Sequence, residues 1–269
     1  MTPSASLPSR MLFLLSPAKS LDYDTPVPAE VAALATRPVF VDEAATLIEQ
    51  LRHKTPAQIA TLMDLSDDLA RLNVGRYAAW SRRFTPANSR PAVLAFNGDV
   101  YEGLQAGTLA PDDLAWAQQH LVILSGLYGV LRPLDKLQPY RLEMGTRLAH
   151  AGGPDLYSYW GDTLATWLNR RQAGVPAPVI VNLASQEYFR AARRPRLRAR
   201  VIDCVFEEWH GGQWKIISFH AKRARGLMAR HAITQRLDDP AGLQGFQAEG
   251  YALAAEASSG DRLVFRRRS

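Results

Sequence analysis

Leu121-Val-Ile-Leu-Ser-Gly-Leu-Tyr-Gly-Val-Leu-Arg-Pro-Leu-Asp135 joins an unbroken apolar run to a stretch with no helix or strand period. The run Leu121–Leu124 reads as a buried strand. After it, glycines, prolines and charged residues crowd together as far as Gly145, taking in Gln138-Pro-Tyr-Arg-Leu-Glu-Met-Gly145. An irregular connection of this length is uncommon in a compact domain, where it is either functional or disordered. Leu127, Tyr128, Val130, Leu131 and Leu134 give this one its own packing surface, so it reads as an ordered loop. Such a loop presents Arg132, Arg141 and Glu143 as candidate functional groups.

Working outward, Met11–Leu15, Ala92–Phe96 and Pro178–Leu183 repeat the buried-strand pattern. Helical spacing begins at Asp42, a candidate N-cap, with Ala45, Ile48 and Leu51 on one face. Thr55-Pro56 opens a second helix and a break at Leu65-Ser66 leads to a third, carrying Leu69, Leu72 and Tyr77. Further helices are expected over Pro111–His120, Leu156–Arg171 and Ala221–Leu237. Arg200–Trp209 and Gln213–Phe219 alternate around Gly211-Gly212 and, with Tyr251–Ala255 and Arg262–Phe265 around Ser258–Asp261, read as hairpins. Strands separated by helices and then hairpins predict a mixed α/β (α+β) fold, with a mixed sheet flanked by helices. Residues 11–266 form one compact domain in this reading. Residues 1–10 are a disordered extension, with Met11 a candidate start, and 267–269 are a basic tail.

At 269 residues, 47% hydrophobic and 22% charged, the composition is that of a globular protein with a substantial core. The net charge of +6 favours acidic partners such as nucleic acid, nucleotides or anionic surfaces. Cys204 is the only cysteine, so no intramolecular disulfide can form, which fits a cytoplasmic setting. The apolar run Met11–Leu15 is too short for a signal-peptide core. No run approaches the roughly 20 apolar residues of a membrane span.

Lys19, in Ser16-Pro-Ala-Lys-Ser20 directly after the first strand, sits where α/β sheets gather ligands and could bind an anion with Ser16 and Ser20. The spacing is not that of a phosphate-binding P-loop. Six arginines crowd into residues 190–200, and Lys222, Arg223 and Arg225 lie on a helix that Gly226-Leu-Met228 marks as packed. A third basic run, Arg266–Arg268, reads as a solvated face. Cations arranged along a groove neutralise phosphates and release counterions. No metal centre or cofactor is implied: the six histidines have no ligand spacing, and Glu207-x-x-His210 occurs once, at a hairpin. Asp22, Asp99 and Glu143 are the acid/base candidates if the chain is an enzyme, although no catalytic constellation is recognisable.

Several of these segments together resemble the YaaA family of bacterial peroxide-stress proteins. The resemblance runs through Leu14–Tyr23, Ala95-Phe-Asn-Gly-Asp-Val-Tyr101, Ser125–Gly145 and Tyr159-Trp-Gly-Asp162. It continues through Val181-Asn-Leu-Ala-Ser185, Ala224-Arg-Gly-Leu-Met228 and Glu249-Gly-Tyr251. It implies a cytoplasmic protein with a basic cleft and a helix-hairpin-helix element that binds duplex DNA. It also implies a role in limiting damage from unincorporated iron. The helix-hairpin-helix maps onto Thr55–Tyr77, but its turn, Leu65-Ser-Asp-Asp68, carries carboxylates where phosphate would approach. Lys19, Arg132, Arg141, Lys222, Arg223 and Arg225 are therefore the expected DNA contacts, without sequence specificity. The alternative is an enzyme acting on a nucleotide or nucleic acid in the same cleft. No protein partner is implied.

Overall fold

The computed structural model describes residues 9–268. Residues 1–8 of the expected extension lie outside the described residues. Ser9 and Arg10 are part of the fold: the Ser9 hydroxyl donates to the Met11 carbonyl at 2.6 Å, and the Val179 amide donates to the Arg10 carbonyl at 2.8 Å.

An eight-stranded mixed sheet organises the molecule. Its strands are β1 (Met11–Leu15), β2 (Leu121–Ser125), β3 (Gly129–Leu131), β4 (Val179–Asn182), β5 (Arg200–His210), β6 (Gln213–Lys215), β7 (Ala252–Leu253) and β8 (Arg262–Arg267). The spatial order is β7-β8-β5-β4-β1-β2-β3, with β6 pairing to β5 beyond the end of β4. β1, β2, β4, β5 and β8 run parallel, while β3, β6 and β7 pair antiparallel as hairpin arms. β1 and β2 are buried at every position, which is why they read as unbroken apolar runs. β5 alternates buried and part-exposed residues, because only one of its faces lies fully in the core.

Helices flank the sheet: α1 (Val41–Arg52), α2 (Pro56–Met63), α3 (Asp67–Ala79), α4 (Asp99–Leu104), α5 (Pro111–His120), α6 (Leu156–Trp160), α7 (Thr163–Arg171), α8 (Gln186–Ala192) and α9 (Ser218–Thr234). Thr55 caps α2 with a capping box completed by Gln58, and Pro56 occupies the first turn. Ser66 caps α3. α2 and α3 thus form a helical hairpin whose turn carries Asp64, Asp67 and Asp68.

Four expectations of secondary structure are corrected. Ala92–Phe96 is not a strand: Ala92–Ala95 form one helical turn and Phe96–Asn97 pair with Ser20–Leu21. The amides of Ala92 and Val93 donate to the carbonyls of Asp135 and Pro133, so the long loop claims the groups a strand would have used. α1 begins at Val41 with Phe40 at the cap, placing Asp42 inside the first turn beside Arg82. The helix expected over 156–171 breaks at Gly161, whose φ of +45° ends one helix before the next begins. The strand expected over 213–219 stops at Lys215, and Phe219 lies in α9.

Of the arginines at the C-terminal end, Arg266–Arg268, only Arg268 is exposed, while Arg266 and Arg267 are part-buried in β8. Arg266 reaches Glu207 at 3.0 Å, Arg267 lies in β8 and reaches the buried Glu208 at 2.6 Å, and Arg268 lies over the Trp209 ring at 5.0 Å. Ser269 lies outside the described residues. No described helix is long and apolar enough to cross a membrane.

Candidate functional site

β1 hands the chain on towards β2, whereas β4, on its other side, hands it on towards β5. Connections that diverge from adjacent parallel strands leave a crevice beyond their carboxyl ends, the usual ligand position in open α/β sheets. The loop Ser16–Ser20 leaves β1 and the segment Leu183–Ser185 leaves β4 at this point. They are tied together: the Ser185 amide donates to Ser16 Oγ at 2.9 Å, and the Tyr101 hydroxyl donates to the Ser16 carbonyl at 3.1 Å. Between them opens a cavity of about 420 Å³. The long loop contributes its third wall through Tyr140–Glu143, and α4, α8 and α9 close the rest.

Two glycines fix the α4–α9 wall. A Cβ on Gly226 would lie 1.8 Å from the Val100 carbonyl oxygen, and one on Gly103 would lie 2.1 Å from that of Arg223. The two helices therefore touch backbone to backbone. This contact carries Asp99 of α4 and Lys222 and Arg225 of α9 to the same cavity.

The cavity gathers Lys19, Arg141, Lys222 and Arg225 with Asp99 and Glu143, six of the residues singled out in the sequence. Glu143 receives both Lys19, at 3.0 Å, and Arg141, at 2.9 Å. Lys222 stands 3.9 Å from Asp99. Arg225 differs from all of these. Its Nε is buried without a hydrogen-bond partner, and it makes no ion pair among the described residues. Burial pulls its pKa below the ordinary guanidinium range, yet a guanidinium stays protonated in proteins. Among the lysines and arginines lining the cavity, Arg225 is thus the one without a carboxylate partner among the described residues.

Arg132, Arg223 and Asp22 do not line the cavity. Arg132 is clamped to the fully buried carboxylate of Asp135, with Nη2 at 2.9 Å and its own amide at 2.8 Å. Arg223, one helical step from Lys222, is held by Glu249 at 2.5 Å. Asp22 accepts the amides of Asp24 and Thr25 at 2.9 Å and lies near Arg90. The hydrogen bonds from Thr25 hold its carboxyl below the usual range, as a turn-closing group. The arginines of 190–200 disperse likewise: Arg193 reaches Asp203, Arg194 the carbonyls of Tyr157 and Gly161, and Arg200 Asp261.

Sequence reasoning missed Tyr140, Glu187 and Tyr188. Tyr188 and Glu187 follow β4 as Lys19 follows β1, so the same positional rule, applied to the second strand, would have found them. Burial holds the Tyr188 and Tyr140 hydroxyls neutral by raising their pKa. Glu187 accepts the Gly145 amide at 2.9 Å and so ties α8 to the long loop. Among the described residues no group of three or more His, Cys, Asp or Glu side chains is placed to hold a metal ion.

The fold and site define a mixed α/β protein with a cation-lined cavity at the switch point of its sheet. The sequence model of the family described as peroxide stress protein YaaA matches residues 11–257. A protein of the UPF0246 family from Leptothrix cholodnii is 68% identical over 257 residues, covering 96% of this chain and 98% of the relative. UPF0246 proteins from Bordetella pertussis and Paracidovorax citrulli are 65% and 64% identical over 258 residues, each covering 96% of this chain and 99% of the relative. The chain belongs to the YaaA family of peroxide-stress proteins.

Proposed function

We propose that the chain serves the peroxide-stress response by binding duplex DNA at this cavity, with a backbone phosphate on Arg225. The observation that carries the reading is the uncompensated guanidinium. A part-buried charge whose Nε is shut away from water without a partner is unfavourable, and an entering phosphate supplies the partner. Lys222 and Lys19, half-exposed at the mouth and each paired to a carboxylate, add cationic reach without base-specific geometry. Backbone phosphate contact of this kind fixes position and carries no sequence information. It also displaces condensed cations. Ferrous ion among them would otherwise donate one electron to peroxide at the DNA, giving ferric ion, hydroxide and hydroxyl radical. Covering the backbone in this way limits damage from unincorporated iron.

Anisotropy of a labelled duplex across a salt series tests the reading. Wild type should lose affinity steeply with salt, with log K falling by about 0.9 per phosphate neutralised for each decade. Arg225→Ala should weaken binding and flatten the slope by about one such contact, while Arg223→Ala, outside the cavity, should not. Duplex binding that ignores Arg225→Ala, or no duplex binding at low salt, refutes it.

A second reading is favoured by Asp99 and Glu143, which share the cavity with two amines and place carboxylates where protons on a nucleotide could be moved. Mass spectrometry of nucleotides and oligonucleotides incubated with wild type, Asp99→Asn and Glu143→Gln tests it. A product that wild type forms and either variant loses supports an enzyme; unaltered substrates with wild type remove the reading.

A further inference from the structure

Phe219 and Ile216 are the most exposed large apolar side chains among the described residues, at 56% and 59%. Phe219 lies in the first turn of α9, three residues before Lys222, and Arg225 follows after three more. Residues three apart on a helix are neighbours, about 5–6 Å between Cβ atoms. The aromatic ring, the Lys222 amine and the Arg225 guanidinium thus follow one another along α9, the latter two lining the cavity and Phe219 lying outside its lining. The His220 ring centroid lies 3.9 Å from that of Phe219, and His220 Nδ1 lies 2.7 Å from the buried Glu208 carboxylate without hydrogen-bond geometry. The exposed ring thus has an aromatic neighbour in His220 and, three residues on along α9, the amine of Lys222.

From this juxtaposition we propose that the cavity rim takes an unpaired nucleotide, its base stacked on Phe219 and its flanking phosphates on Lys222 and Arg225. The inference rests on the nucleic-acid reading of the cavity and deepens it. An uninterrupted duplex keeps its base faces stacked on one another and offers nothing to an exposed ring. A single strand, a gap or a frayed end offers a free base face beside phosphates, and an aromatic platform bordered by cations matches it. The chain's positive charge and the place of the ring one helical turn before a cavity-lining lysine favour this occupant over an apolar protein surface.

The test compares a single-stranded oligonucleotide, the matching duplex and a duplex with a one-nucleotide gap, by anisotropy at one salt concentration. The proteins are wild type, Phe219→Ala, Phe219→Leu, Phe219→Trp and Arg225→Ala. The single strand and the gapped duplex should bind wild type more tightly than the intact duplex. Phe219→Ala should reduce that preference by ~10-fold, Phe219→Leu nearly as much, and Phe219→Trp should retain it. Phe219→Leu matching wild type would replace stacking by simple apolar contact and overturn the inference. So would an equal loss on all three nucleic acids, or a change in oligomeric state on Phe219→Ala with no change in binding. Binding that depends on Arg225 but ignores Phe219 defeats the rim alone, whereas binding indifferent to Arg225 defeats the cavity reading beneath it.

Discussion

Replacing Gly226 by alanine should separate the α4–α9 contact from every other determinant of the site. The added methyl would meet the Val100 carbonyl oxygen at 1.8 Å and the Leu104 amide nitrogen at 2.8 Å. Both are backbone atoms, so no side chain can swing away, and the helices must part by more than about 1 Å to regain contact distance. Forcing extra volume into a packed interface costs about 1–3 kcal/mol, and more where backbone must move. Alanine recovers about 1 kcal/mol of helix propensity over glycine. The net expectation is a loss of roughly 2 kcal/mol, lowering Tm by about 4–8 °C for a chain of this size. Gly75, inside α3, supplies the control, since a Cβ there meets nothing within 4 Å. Gly75→Ala should keep only the propensity gain and raise Tm by about 2–4 °C. Calorimetry of both variants, with duplex binding measured alongside, checks the argument. Gly226→Ala should also bind duplex more weakly, because the parted helix carries Lys222 and Arg225 with it. A Gly226→Ala protein that melts at or above wild type would refute the backbone contact and its role in placing those cations.

Two other residues should behave as structural groups. Arg132→Ala strands the fully buried Asp135 carboxylate, leaving Thr36 Oγ1, at 2.6 Å, as its remaining side-chain donor, and should cost about 3–5 kcal/mol in urea unfolding. The salt slope of DNA binding by the folded fraction should match wild type; a slope lowered by one contact would return Arg132 to the interface. Burial pushes the Cys204 thiol up to about 12, so the native protein should resist thiol reagents and peroxide and react only when unfolded. Rapid labelling of the native chain, read by mass spectrometry, would contradict this and admit a thiol sensor.

Much of the sheet was legible because β1, β2 and β4 are buried on both faces, and strands so placed must be apolar throughout. Ala92–Phe96 has the same look and a different fate. A short apolar run marks burial without choosing between strand and helical turn. Here the choice is made by carbonyls at 133 and 135, some forty residues away. The cavity was half legible for a related reason. Lys19 could be placed by its position after a strand, and Arg225 by the packed glycine beside it. Arg132 and Arg223 look the same in a sequence, but a cation's availability depends on whether a carboxylate reaches it. Asp135 lies three residues from Arg132 and could have been suspected; Glu249 reaches Arg223 across 26 residues and could not. Counting positive charge therefore pointed to residues 190–200, where Arg193, Arg194 and Arg200 engage carboxylates and carbonyls of their own fold. What separates these cations is whether folding brings a carboxylate to them, and among the lysines and arginines lining this cavity the one left without a carboxylate among the described residues is the part-buried Arg225.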